Sequence, residues 1–260
     1  MKKLLTLLLL YLICLPMVRA DVLVLVHGYM SNAMTWQYSG VSNVLVANGW
    51  RHAASANPGG NTFYTVNLPA RQPLMTQTHV LMNFLRGVRQ HHPSESLTLV
   101  GHSAGGLVAR LAVLGGNPAG VSQLVTIASP HLGTPRAIQG LDIAEEKPFF
   151  CPGPGWFAMK RLLGGKAYRY LRDSRGALVG MLPPGYGELL SWANTQPHPD
   201  IRYHAVVRQF GDELVPAYSQ DMNSVPVLKG RARVWLSNSR HSLSLQDGEI
   251  LLRILADQAN

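Results

Sequence analysis

The stretch LTLVGHSAGGLVARLAVLGG, residues 97–116, decides how the rest of the chain is read. Leu97 to Val100 form an apolar run of the length and character of a buried strand, stopped by Gly101. Ala104 to Leu114 follow with Leu107, Val108, Leu111 and Leu114 on one helical face. Gly115 and Gly116 then supply the left-handed ending that closes a helix. Ser103 therefore falls in the turn between strand and helix. Gly101, Gly105 and Gly106 remove side chains where the two elements must approach, and a strained turn there would push the hydroxyl outward.

Outward from this unit, apolar strand candidates recur at Val22–Val26, Phe63–Val66, Leu124–Ala128, Tyr203–Val207 and Arg233–Leu236, separated by helical patterns. Such alternation predicts a mostly parallel sheet of about six strands with helices on both faces. A helix opened by Pro73 presents Val80, Leu81, Phe84, Leu85 and Val88 to one face. Another near the C-terminus presents Ile250, Leu251, Ile254 and Leu255. Residues 136–200 are too long for a simple connection and read as a cap or lid insertion. Within it Trp156, Phe157, Leu162 and Leu163 alternate with Lys160, Arg161, Lys166 and Arg169, which suits a water–lipid boundary, with ordinary packing against the core as the alternative.

The first twenty residues stand apart. Lys2 and Lys3, an apolar run from Leu4 to Leu15 and the small-residue ending at Ala20 predict a signal peptide, hence a secreted or periplasmic product beginning at Asp21. A retained membrane anchor is the alternative, but the run is short and is interrupted by Pro16. The remaining 240 residues suit one α/β domain over 21–260. Loss of Lys2, Lys3 and Arg19 lowers the formal charge from +9 to +6. This moderate excess is not organised into a basic, aromatic-interleaved run, so no nucleic-acid partner is expected. Of the two cysteines Cys14 lies in the leader, and Cys151 alone allows neither an internal disulfide nor a thiolate zinc site.

Four separated stretches carry a family resemblance: VLVHGY at 24–29, GHSAGG at 101–106, ASPHLGTP at 128–135, and GDELVP at 211–216 followed by RHS at 240–242. Together they resemble the α/β-hydrolase superfamily and, more narrowly, its bacterial lipase and esterase branch. Gly-x-Ser-x-Gly alone is a weak pattern, and its place between strand and helix is what gives it weight. The resemblance implies Ser103 as nucleophile, Asp212 as acid and His241 as base, in the family's chain order. Asp221, further along the same loop, is the alternative acid, whereas Asp247 follows His241 and breaks the order. The resemblance also implies an oxyanion hole from the backbone N–H groups of Ala104 and Tyr29, with Met30 as the fallback.

The physical roles agree with this carry-over. A free serine hydroxyl is a poor nucleophile at neutral pH and needs a base, and the base needs a group that fixes its tautomer. Of the ten histidines, His241 is the best placed, after the last strand candidate and before the final helix. His102 and His131 read as loop organisers, and His52, His79, His91, His92, His198 and His204 as surface or packing residues. The chain is thus expected to cleave carboxylic esters without metal or organic cofactor, on an ester or lipid substrate with transient contact at a lipid interface. A thioesterase or acyltransferase would use the same three residues, and a binding protein could keep the scaffold without turnover. The calcium requirement and the oligomeric state stay open.

Overall fold

The computed structural model describes residues 21–54, 60–145 and 164–257, with the side chains of 164–167 left undescribed. In chain order the elements are β1 (Asp21–Val26), α1 (Thr35–Tyr38), α2 (Val41–Ala47), β2 (Arg51–His52), β3 (Thr62–Val66), α3 (Leu74–His91), β4 (Ser96–His102) and α4 (Ala104–Leu114). There follow β5 (Gln123–Ile127), α5 (Pro135–Ala144), α6 (Gly164–Asp173), α7 (Arg175–Val179), α8 (Glu188–Ala193), β6 (Arg202–Arg208), α9 (Ala217–Gln220), β7 (Ala232–Ser237) and α10 (Leu245–Ala256).

The strands form one sheet of seven in the order β2-β3-β1-β4-β5-β6-β7, and every pairing is parallel. Expectation put the sheet at about six strands. The addition is β2, two polar residues beside Thr62 and Phe63 at the edge, too short to produce an apolar run in the sequence. Alternation along each strand divides the interior in two. Val22, Val24 and Val26 of β1 and Leu97 and Leu99 of β4 pack with Leu81, Leu85, Leu107 and Leu111 of α3 and α4. Leu23, Leu25 and Val100 face the other way, onto Trp36, Leu45, Leu251 and Ile254. Helices therefore cover both faces, which is why the central strands are apolar on both sides.

Two sequence expectations are corrected in detail. Val80, assigned to the buried face of α3, is 40% exposed. The buried stripe instead runs through Leu74, Gln77, Thr78, Leu81, Leu85 and Val88, because the helix begins at Leu74 and its inward face includes two polar residues that a hydrophobic pattern overlooks. Ala128, read as the end of a strand, lies beyond β5 in the left-handed region with φ 51°.

The strand order places the site. From β1 the chain moves outward to β2 and β3 on one side, then returns to β4 and builds outward through β5, β6 and β7 on the other. The loops leaving β1 and β4 consequently part in opposite directions at the carboxyl edge, and a crevice opens between them. Tyr29 and Met30 lie on the first loop and Ser103 on the second.

Candidate active site

Ser103 sits between β4 and α4 with φ 53° and ψ −129°, a conformation rarely adopted by a residue with a side chain. Its N–H donates to the Ile127 carbonyl at 2.8 Å, which helps hold the turn. Close approach demands the neighbouring glycines. A Cβ on Gly105 would lie 2.6 Å from the Val26 carbonyl oxygen, and one on Gly28 would lie 2.9 Å from the Ser103 Cβ. Thus α4 can start directly against the end of β1, with its N-terminal N–H groups beside the serine.

Two other loops meet the serine there. His241, between β7 and α10, has Nδ1 2.7 Å from Asp212 Oδ2 and Nε2 3.0 Å from Ser103 Oγ. A carboxylate only accepts, so Nδ1 carries the hydrogen and Nε2 is left to accept from the serine hydroxyl. Asp212 follows β6, and its Oδ1 accepts the N–H groups of Leu214 at 2.8 Å and Val215 at 3.0 Å. Burial pushes the Asp212 pKa upward, but the hydrogen bond and charge of His241 together with those two N–H groups outweigh it and hold the carboxyl below its ordinary value. Asp221 lies elsewhere. Its Oδ1 accepts from Asn223 N–H at 2.8 Å at the start of a 3-10 turn, so it serves as a cap.

Several supporting residues were not singled out by the sequence. Gln220, buried on α9, donates to Asp212 Oδ2 at 3.1 Å and to the Val215 carbonyl at 2.7 Å, while its Oε1 accepts the Arg208 N–H at 2.9 Å. One side chain therefore fastens the acid to the end of β6. Arg208, fully buried, forms a two-pronged ion pair with Asp247 and donates to the Ser242 carbonyl at 3.3 Å. Asp247 in turn caps α10 through the Ser244 N–H at 2.8 Å. This pair pins the loop that carries His241 and gives Asp247 a structural partner of its own. A glutamine or an arginine gives no local signal of such a role, because each acts across distant elements.

His102 adds a direct link. It is buried beside Ser103, and its Nε2 donates to the His241 carbonyl at 2.9 Å. Burial, reinforced by the neighbouring His241, pushes its pKa down to about 3, so the ring is neutral. His27 is also buried; Nδ1 donates to the Gly28 carbonyl at 3.0 Å and Nε2 accepts the Leu68 N–H at 2.9 Å, setting the course of the loop after β1.

In front of Ser103 and His241 lies a cavity of about 530 Å³. Tyr29, Met30 and Tyr38 contribute from the first crossover, Leu214 and Val215 from the acid loop, and Ala137, Gly140, Leu171, Leu178 and Met181 from the 136–200 region. The described part of that region is therefore a wall of the cavity, joined to the loop after β1 where Tyr29 Oη meets Ser174 Oγ at 2.5 Å and the Tyr29 ring meets Tyr170 edge-on at 5.5 Å. Trp156, Phe157, Lys160, Arg161, Leu162 and Leu163 lie outside the described residues, as do Cys151 and residues 1–20, on which the signal-peptide expectation falls, and nothing is described of the Lys166 side chain. Among the described residues no group of three His, Cys, Asp or Glu side chains is gathered to hold a metal ion, and no helix is long and apolar enough to cross a membrane.

A seven-stranded parallel sheet in this order, helices on both faces and a strained strand-to-helix turn after β4 define the α/β-hydrolase fold, on which this chain is built. The PGAP1-like alpha/beta domain matches residues 22–144. No curated protein matches the sequence. Among solved structures, the mature form of the Bacillus licheniformis lipase BlEst2 is similar at 16% identity and a TM-score of 0.63, over 94% of each chain. A lipase-esterase related protein from Clostridium acetobutylicum is similar at 14% identity and a TM-score of 0.57, over 91% of this chain and 93% of that one. The type II thioesterase YbtT of the yersiniabactin biosynthetic pathway is similar at 14% identity and a TM-score of 0.58, over 93% and 94%.

Proposed function

We propose that this protein is an exported serine hydrolase of carboxylic esters, lipase- or esterase-like, that works through an acyl-enzyme on Ser103. The observation that carries the reading is the hydrogen-bonded line from Ser103 Oγ through His241 to Asp212, opening onto a cavity walled largely by apolar side chains.

In this reading Ser103 Oγ attacks the ester carbonyl while His241 Nε2 takes its proton, and Asp212 stabilises the imidazolium and keeps Nδ1 protonated. The carbonyl oxygen becomes an oxyanion received by the backbone N–H groups of Ala104 and Tyr29. Collapse of the tetrahedral species breaks the bond to the alcohol oxygen, which leaves with the proton from His241. Water then attacks the acyl-enzyme, giving its proton to His241, and the second collapse releases the acid and restores the serine. No step calls on a metal or organic cofactor.

Thioester cleavage uses the same steps, and the similarity to a thioesterase supports it as the second reading. Export is supported by the sequence of residues 1–20, with Lys2 and Lys3, the apolar run from Leu4 to Leu15 and the small-residue ending at Ala20. The test is labelling by a fluorophosphonate with mapping of the modified peptide, followed by turnover of matched ester and thioester series. Modification at Ser103, abolished in Ser103→Ala, with faster turnover of the oxygen esters is expected. Turnover retained in Ser103→Ala would overturn the nucleophile, and preference for thioesters would move the substrate class.

A further inference from the structure

The 136–200 wall has a chemistry of its own. Helix α5 turns Ala137 and Gly140, three residues apart and so on one face, toward the cavity. A glycine inside a helix is less stable than alanine by roughly 0.5–1 kcal/mol; what it provides here is space. A Cβ at Gly140 would lie 3.1 and 3.3 Å from the two Leu178 methyl carbons and 3.7 Å from Leu171 Cδ2. Leu178 therefore rests against bare helix backbone, and any side chain at position 140 must displace it in a wall where both residues line the cavity.

The polar groups of the same wall are turned to other partners. The Thr134 hydroxyl donates to the Leu214 carbonyl, and the Arg136 guanidinium donates to the Glu213 carbonyl at 2.9 Å and to Gln139 Oε1 at 2.7 Å. Between them Ala137, Gly140, Leu171, Leu178 and Met181 expose carbon to the cavity. Such a surface binds hydrocarbon and leaves a sugar or a charged chain without partners.

A leaving alcohol must lie at His241 Nε2 to receive its proton, while the carbonyl oxygen points to the N–H groups at Tyr29 and Ala104. The wall is tied to Tyr29 by the Ser174 and Tyr170 contacts and to the Asp212 loop by Thr134 and Arg136, so it closes the cavity in front of Ser103, and a chain on the reacting carbonyl that enters the cavity lies along it. We propose that Gly140, Leu171 and Leu178 form the acyl-chain pocket, that its occupant is an unbranched, uncharged hydrocarbon chain, and that Gly140 sets how much chain is accepted. This rests on the reading of Ser103 as an acylated nucleophile.

The test measures the rate at which 4-nitrophenyl alkylphosphonates, from ethyl to octyl, modify Ser103 in the full chain, followed by mass spectrometry. Each buried methylene should raise the rate about fourfold until the pocket is filled. Gly140→Val should reduce the octyl-to-ethyl rate ratio at least about tenfold, Gly140→Ala should shift it in the same direction by less, and Leu178→Val should raise it. Gly140→Ala keeps the test open should the valine variant fail to fold. Rates independent of chain length in the parent, or a ratio unmoved by the Gly140 and Leu178 changes, would overturn the pocket while leaving the nucleophile intact. Absence of Ser103 modification at every chain length would overturn the nucleophile, and the pocket with it.

Discussion

Acid should unfold this protein well before its carboxylates are neutralised. Besides His27, whose burial also lowers its pKa, four buried histidines are held uncharged by the fold. Burial pushes His102 down to about 3 and His198 and His204 down to about 4, and it drives His131 well below the ordinary imidazole range; nearby cations deepen the shift, Arg110 beside His131 and His198, and Arg202 and Arg233 beside His204. In the unfolded chain each titrates near 6.5. Above that value both states are neutral and the fold has its full stability. As pH falls below it the unfolded state gains protons that the folded state refuses, so stability is lost until the folded pKa values are reached. At pH 5 the loss is about 2 kcal/mol for each ring, and about 8 kcal/mol for the four together, as large as the whole stability of many domains.

Urea unfolding at pH 7.5, 6 and 5, followed by circular dichroism, measures this directly. Between pH 6 and 5 the unfolding free energy should fall by about 5 kcal/mol, the slope of nearly four protons taken up. His198→Gln should make that slope shallower by about 1.4 kcal/mol per pH unit, one proton fewer. The lowered Asp212 pKa acts in a separate window, contributing above about 3.8 and lost as pH falls through its folded value. A free energy that stays level from pH 7.5 to 5 would refute the reasoning, because it would mean that the buried rings accept protons without cost.

Other outcomes follow from the loops around Ser103. Asp212→Asn should lower ester kcat by about 10⁴-fold with the melting temperature retained, whereas Asp221→Asn should leave kcat within about threefold because Asp221 only caps a turn; the reverse ranking in steady-state assays would reassign the acid. His102→Leu removes the donor to the His241 carbonyl and should reduce kcat and move the acidic limb of the pH–rate profile, with partial recovery in His102→Gln. Asp247→Asn leaves the Arg208 charge buried without its partner and should cost about 3–5 kcal/mol in urea unfolding. Tyr29→Phe keeps the backbone N–H and loses only the bond to Ser174, so kcat on a short ester should change little while stability falls by about 1 kcal/mol.

What could be read from the sequence was what is locally determined. The strands at Leu97–Val100 and Val22–Val26 announce themselves because both faces are covered, and the Ser103 turn because glycines cluster where strand and helix touch. The two-residue strand Arg51–His52 has no such signature, since it borrows its pairing from β3 at an edge. Val80 is the exception, because an apolar residue at helical spacing predicts an inward side chain, whereas Gln77 and Thr78 occupy the buried stripe. The order of Ser103, Asp212 and His241 along the chain was legible through resemblance, and the structure brings those three side chains together. Gln220, Arg208 and Asp247 were not, because polar residues carry no periodicity that marks a buried role and the bonds that tie these three to Asp212, Val215 and one another span 5 to 39 positions.

The same division separates the proposed reaction from its substrate. Proton transfer depends on the ends of β4, β6 and β7, whose positions are fixed by parallel pairing across a sheet buried on both faces. A small change there would disturb every loop at the carboxyl edge. The cavity wall depends on α5, α6 and α7, which contact one another and reach the loop after β1 through Tyr29. Side-chain volume in those helices can change without moving a strand, as the space left by Gly140 under Leu178 illustrates. Chain-length preference is therefore separable from the chemistry at Ser103: substitutions at Gly140 or Leu178 should alter which acyl chains react, while substitutions at Asp212 should slow all of them alike.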